Sequence, residues 1–185
     1  IAPDQKTGKR AMDFDKEQIS GMKIFIVDDV PSNLDILGHI LQRNGLKVSI
    51  APTGEKALEL VSLDKPDLIL LDVRMPDMDG YEVCRKLKAD VHSKDIPVIF
   101  ITAMADTGDL VQGYKVGGVD YIAKPFHEEE VVCRITTQLK LKRAQDEVIR
   151  REKFYRVIVE SVPDLIFQLD PDRKIVFANP RSEER

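Results

Sequence analysis

Five short apolar runs recur along residues 22–123: MKIFIV (22–27), LKVSIA (46–51), DLILLD (67–72), PVIFIT (97–102) and VDYIA (119–123). Three to eight residues is strand length, and the third and fourth runs are almost continuously apolar, as expected of strands buried on both faces. The stretches between them have helical spacing. Residues 32–44 carry Leu34, Leu37, Ile40 and Leu41, with Pro31 at the start and Asn44-Gly45 as the stop. Thr53 can cap a helix containing Leu58, Leu60 and Val61. Val83 and Leu87 mark a helix over 79–89. A weaker one passes through Leu110 and Tyr114 to Gly117-Gly118, and a long one begins near His127. Alternating β and α elements with apolar central strands predict an α/β fold, a parallel sheet covered on both faces. In such sheets the functional crevice lies beyond the carboxyl ends of the strands.

Those ends carry the polar residues. Asp28 and Asp29 close the first run, Asp72 the third and Thr102 the fourth, while Lys124 follows the fifth. Asp28-Asp29 alone is compatible with a helix N-terminal acid pair. The set together points to chemistry. Three clustered carboxylates repel one another and call for a cation, and an all-oxygen set suits Mg²⁺ or Mn²⁺. A carboxylate can act as nucleophile toward phosphorus. Lys124 and the Thr102 hydroxyl can supply donors to the added charge.

The remaining composition narrows the classes. Net charge is −4, without the basic surplus that drives nucleic-acid binding. No apolar run approaches the roughly 18 residues of a membrane span, and residues 1–21 are polar, read as an N-terminal tail or linker without a signal peptide's apolar core. Cys84 and Cys133 read as buried or half-buried fillers, neither a disulfide pair nor metal ligands, which fits a cytoplasmic setting. His39, His92 and His127 are scattered, with no metal role. Asp77, Asp79 and Gly80 read as turn and helix-start residues. No glycine-rich nucleotide-binding element is present.

The segments VDDVPSN (27–33), LILLDVRMPDMDGYEV (68–83), VIFITA (98–103) and GGVDYIAKPF (117–126) resemble those of the response-regulator receiver family of two-component signalling. The spacing is specific: 43 residues from Asp29 to Asp72, 30 from Asp72 to Thr102 and 22 from Thr102 to Lys124. The resemblance covers roughly residues 22–141 and implies a flavodoxin-like (βα)5 sheet of strand order 2-1-3-4-5. It implies Asp72 as the phosphoacceptor of a phosphorelay. Asp28, Asp29, Asp72 and the backbone carbonyl of Arg74 would be the metal ligands. Lys124 would pair with the phosphoryl oxygens, and Thr102 and Tyr121 would be the switch residues. A cis bond is implied between Lys124 and Pro125. The implied donor is a histidine kinase or phosphotransfer protein, and the implied enzymology is limited to self-catalysed phosphorylation and dephosphorylation. Gly118 stands where the family often has alanine, and Arg74 and Met104 occupy variable flanking positions. A phosphotransferase with an aspartyl intermediate would want a second acid two residues after Asp72, where this chain has Arg74.

Beyond the receiver-like segment, Leu141, Ala144, Val148, Arg151, Tyr155, Ile158 and Val162 recur by threes and fours, with Arg151 the one charged member. This predicts a signalling helix over 142–160, continuous with the fifth helix and paired as a parallel dimer; the alternative is an amphipathic helix folded back on its own domain. Residues 160–180, ESVPDLIFQLDPDRKIVFANP, resemble the opening of a PAS sensor domain, two strand-like runs joined at Pro171-Asp172-Arg173; a simple hairpin is the alternative. A chain that opens on Ile and stops about 25 residues into a PAS-like segment reads as a fragment. The alternative function is the receiver of a hybrid histidine kinase or cyclic-dinucleotide enzyme acting mainly as a dimerisation module.

Overall fold

The computed structural model describes residues 19–103, 107–161 and 166–178. Five parallel strands, β1 (Lys23–Val27), β2 (Lys47–Ala51), β3 (Leu68–Asp72), β4 (Val98–Thr102) and β5 (Asp120–Ala123), form one sheet in the order 2-1-3-4-5. Helices α1 (Pro31–Arg43), α2 (Gly54–Leu63), α3 (Gly80–Ala89), α4 (Thr107–Lys115) and α5 (Glu128–Ser161) follow them in turn. The expected flavodoxin-like (βα)5 architecture is the one observed.

The period-2 side-chain alternation of a strand divides the sheet into two cores. Phe25, Val27, Ile69, Leu71, Val98, Phe100 and Tyr121 pack with Ala57 and Val61 of α2 and Val83, Cys84 and Leu87 of α3. On the other face, Ile24, Ile26, Leu68, Leu70, Ile99, Ile101 and Ile122 meet Leu34, Leu37 and Leu41 of α1 and Val131, Ile135 and Leu139 of α5. All five residues of β3 and of β4 are buried, which is why those runs show no polar alternation.

Local signals set the helix ends. Pro31 occupies the first turn of α1, and Gly45 leaves its C-terminus at φ 82°. The Thr53 hydroxyl accepts from the Lys56 N–H at the start of α2. The Asp79 carboxylate accepts from the Glu82 N–H at the start of α3, and Asp77 sits at φ 65° in the turn before it. Ile19, in the stretch expected to be linker, is buried in the second core. Met104 and Val162 lie outside the described residues.

The chain divides into two compact units between Lys142 and Arg143. In the second, α5 continues to Ser161, and β6 (Phe167–Leu169) pairs antiparallel with β7 (Ile175–Ala178). Of the seam residues, Leu141, Val148, Tyr155 and Ile158 are exposed. Ile149, Phe154 and Val157, off the seam, are exposed too, so the apolar surface here is broader than one heptad stripe. Arg151 donates to Glu147 one turn back, which partners the charge along its own helix. No helix among the described residues is long and apolar enough to cross a membrane.

Candidate phosphoryl-transfer site

The strand order makes β1, β3, β4 and β5 consecutive neighbours. Their carboxyl ends therefore form one row. Val27 pairs with Leu71, Asp72 with Ile101, and Thr102 with Ala123. Asp28, Asp72, Thr102 and Lys124 thus emerge side by side, although they are spread over nearly a hundred residues of sequence.

Asp28 is fully buried, and protein donors occupy both its oxygens. Oδ1 accepts from the Val30 N–H at 2.9 Å, Asn33 Nδ2 donates to both oxygens at 2.9 Å, and Lys124 Nζ donates to Oδ2 at 2.9 Å. Asp28 therefore caps the turn into α1 and also belongs to the site. Asn33, in the first turn of α1, was not singled out from sequence. Its signal was present in VDDVPSN, because an amide one helical turn after an acid can reach back to it.

Lys124 bridges two strand ends. Its Nζ donates to Asp72 Oδ1 at 3.0 Å as well as to Asp28 Oδ2. Its backbone N–H donates to the Thr102 carbonyl at 2.8 Å, and the Lys124-Pro125 peptide is cis. Burial pushes the Asp72 carboxyl above its ordinary range; the Lys124 hydrogen bond pulls it down and the Asp28 charge pushes it up again, with a net rise. Burial would lower the Lys124 ammonium, but its hydrogen bonds to Asp28 and Asp72 outweigh that and raise it.

One carboxylate oxygen from each of Asp28, Asp29 and Asp72 lies within 4.8 Å of the others. The donors are all oxygen, two of the three residues are buried, and one lysine faces three carboxylates. That chemistry fits a hard divalent cation such as Mg²⁺, which accepts a few carboxylates and keeps open positions for water and phosphate. Among the described residues this is the one such cluster of His, Cys, Asp and Glu. Arg74 follows Asp72 by two residues in the β3–α3 loop, with its side chain exposed.

The loop is held close by Gly80. A Cβ there would lie 2.2 Å from the Asp72 carbonyl oxygen and 3.0 Å from its carbon, and the Gly80 N–H donates to Val73 O at 3.0 Å. Only glycine lets α3 start against the backbone that carries Asp72. Thr102 is buried one residue past the β4 partner of Asp72. Tyr121 is 7% exposed and lies inward, its ring centroid 5.6 Å from Phe100 and 5.4 Å from Tyr114. Cys84 is buried, but Cys133 is exposed, correcting the expectation that both are fillers. Cys133 is two residues, about 200°, around α5 from the buried Val131. His39, His92 and His127 are all exposed, away from the carboxylates.

Comparisons with known proteins match the segment that carries this site. The family model for the response regulator receiver domain matches residues 24–136. The response regulator PleD of Caulobacter vibrioides is 41% identical over 130 residues, covering 70% of this chain and 29% of PleD. The DNA-binding response regulator MtrA of Mycolicibacterium smegmatis is 39% identical over 125 residues, covering 68% of this chain and 53% of MtrA. The matched stretch thus spans less than two thirds of these relatives' own length. The crystal structure of the signal receiver domain of a histidine kinase from Syntrophus aciditrophicus superposes with a TM-score of 0.61 at 37% identity, covering 65% of this chain and 91% of that one. With an acidic triad at the carboxyl edge of a 2-1-3-4-5 sheet and a family match across most of that sheet, the chain belongs to the response regulator receiver domain family.

Proposed function

We propose that residues 22–141 act as the phosphoacceptor receiver of a two-component phosphorelay, with Asp72 as the acceptor. The observation that carries this is the Lys124 ammonium held 3.0 Å from Asp72 Oδ1 beside a three-carboxylate cluster. Asp28, Asp29, Asp72 and the Arg74 carbonyl would hold Mg²⁺ or Mn²⁺, which when bound offsets the carboxylate and phosphoryl charge. An Asp72 oxygen attacks the phosphorus of a phosphohistidine on a histidine kinase or phosphotransfer protein. The P–O bond forms as the P–N bond breaks, and the imidazole nitrogen keeps the electron pair and takes a proton. Lys124 and Thr102 donate to the added oxygens. Movement of Thr102 toward the phosphoryl group favours the inward Tyr121 and biases the α4–β5–α5 face, a shift of population between two states.

Downstream, residues 142–160 serve as a signalling helix that pairs in parallel with a second copy, and residues 161–185 are the opening of a PAS domain. The exposed Leu141, Val148, Tyr155 and Ile158 support the pairing; the Phe167–Ala178 hairpin is compatible with the PAS reading. MtrA is named a DNA-binding regulator and the Syntrophus structure the receiver of a histidine kinase, so a DNA-binding regulator and a hybrid kinase stand as alternative outputs beside a cyclic-dinucleotide enzyme. A cytoplasmic setting fits a kinase-fed receiver.

The test is intact-mass measurement after incubation with acetyl phosphate and Mg²⁺. One phosphoryl adduct is expected, absent in Asp72→Asn and in chelator. An equal adduct on Asp72→Asn would sink the assignment. Mg²⁺ at about 100 times its Kd should stabilise the fold by about 2.7 kcal/mol, an effect reduced in Asp29→Asn.

A further inference from the structure

Tyr121 is inward, packed against Phe100, and two glycines line the space beside this pair. Gly113 is inside α4, where glycine is the poorest helix former except proline. A Cβ at Gly113 would fall 1.7 Å from Tyr121 Oη, 2.7 Å from its Cζ and 3.0 Å from Phe100 Cδ2. A Cβ at Gly118 would fall 2.4 Å from Phe100 Cε2 and 2.7 Å from Cδ2. The two glycines touch: the Gly118 N–H donates to the Gly113 carbonyl at 2.9 Å, and the intervening Gly117 turns the chain at φ 100°. Both are buried. Phe100 and Tyr121 pack with their rings tilted by 31° and centroids 5.6 Å apart, so the pair occupies the volume that two methyl groups would otherwise fill.

We propose that Gly113 and Gly118 form a notch that seats the Phe100–Tyr121 pair and holds Tyr121 inward. Gly113 is thus a positioning residue, acting on the phenol ring and not on the reacting atoms. A side chain at 113 larger than hydrogen would displace the ring, because its Cβ would overlap Tyr121 Oη and Cζ and also crowd Phe100. Tyr114, half-exposed and edge-on to Tyr121 at 5.4 Å, closes the outer side. A ring held inward by the notch biases the receiver toward one of its two states and so changes how much population the switch has to shift. The consequence for signalling rests on the Thr102–Tyr121 switch proposed above; the notch itself does not.

The experiment uses the full chain labelled with 3-fluorotyrosine. The sequence has four tyrosines, and Tyr121→Phe identifies the resonance of interest. In the unaltered protein that resonance should resist a soluble paramagnetic quencher; in Gly113→Ala it should shift and become quenched. Thermal melts supply a second reading. Gly113→Ala should lower the melting temperature when residue 121 is tyrosine and lower it far less in a Tyr121→Ala background, where the approach to Phe100 alone opposes the helix preference for alanine. A protected, unshifted resonance in Gly113→Ala overturns the notch, as does an equal loss of melting temperature in both backgrounds. If Gly113→Ala exposes the ring but acetyl phosphate leaves the amide signals of Thr102 and of the α4–β5–α5 face in the unaltered protein unmoved, the switch reading fails and the notch stands.

Discussion

Lys124 and Asp72 are joined by a 3.0 Å ion pair across two strand positions of the sheet, from beyond β5 to the tip of β3, with β4 between them. Strands are about 4.8 Å apart, so the gap is roughly 10 Å at the backbone, within the combined reach of a lysine stem and an aspartate. The same ammonium reaches Asp28.

Removing that ammonium leaves three carboxylates facing one another. Lys124→Met should lower stability in chelator by roughly 1.5–3 kcal/mol, the scale of hydrogen bonds to charged groups. Saturating Mg²⁺ should recover part of the loss, because the cation replaces the missing charge. Urea unfolding of both proteins, with and without Mg²⁺, measures this; equal midpoints in chelator would refute it.

The raised Asp72 carboxyl makes a signed pH prediction. A folded-state pKa above the unfolded one means that the unfolded chain releases its proton first, so stability falls as pH rises from about 3.8 through the folded value. Asp72→Asn removes that penalty. In metal-free buffer its melting temperature should exceed that of the unaltered chain at neutral pH, with the advantage shrinking toward pH 3.5. An advantage independent of pH would count against burial as the cause.

At Gly80 the constraint is backbone on backbone. Gly80→Ala would place a methyl 2.2 Å from the Asp72 carbonyl oxygen, so the β3–α3 loop must move. A loss of roughly 1–3 kcal/mol is expected, as for overpacking, together with slower adduct formation. Denaturant unfolding and the intact-mass assay read the two effects; an unchanged midpoint would show that the contact can relax freely.

The two thiols should separate cleanly. Cys133 is exposed and should alkylate in the folded protein, whereas Cys84 is buried and should react only on unfolding. Burial pushes the Cys84 thiol up to about 11 from 9.0. Stability should therefore fall between those pH values by at most about 3 kcal/mol, at 1.36 kcal/mol per unit. Cys84→Ala should flatten that alkaline limb. Peptide mapping after a short iodoacetamide pulse tests the first claim, and equal labelling at both sites would overturn it.

Much of the fold was legible because a strand buried on both faces has no choice but to be apolar. Residues 68–71 and 98–101 announce themselves for that reason, and the polar residue that ends each run marks the edge where water returns. Asp28, Asp29, Asp72, Thr102 and Lys124 were visible on the same logic. Asn33 was less visible, since an asparagine in a first helical turn is ordinary until the carboxylate it grips is known. Cys133 misled because helical periodicity does not say which face meets a sheet until Val131, Ile135 and Leu139 are seen on it.

The sequence by itself determined the element order, the strand ends and the identity of the acidic residues, because hydrophobic periodicity and turn chemistry are local. Only the tertiary structure decided that Lys124 pairs with both Asp28 and Asp72, that Gly80 presses on the Asp72 backbone, and that Gly113 and Gly118 make room for Tyr121. Those relationships depend on which strands become neighbours and how closely helices approach the sheet. Distances of that kind are set by packing across dozens of residues, and no local pattern records them.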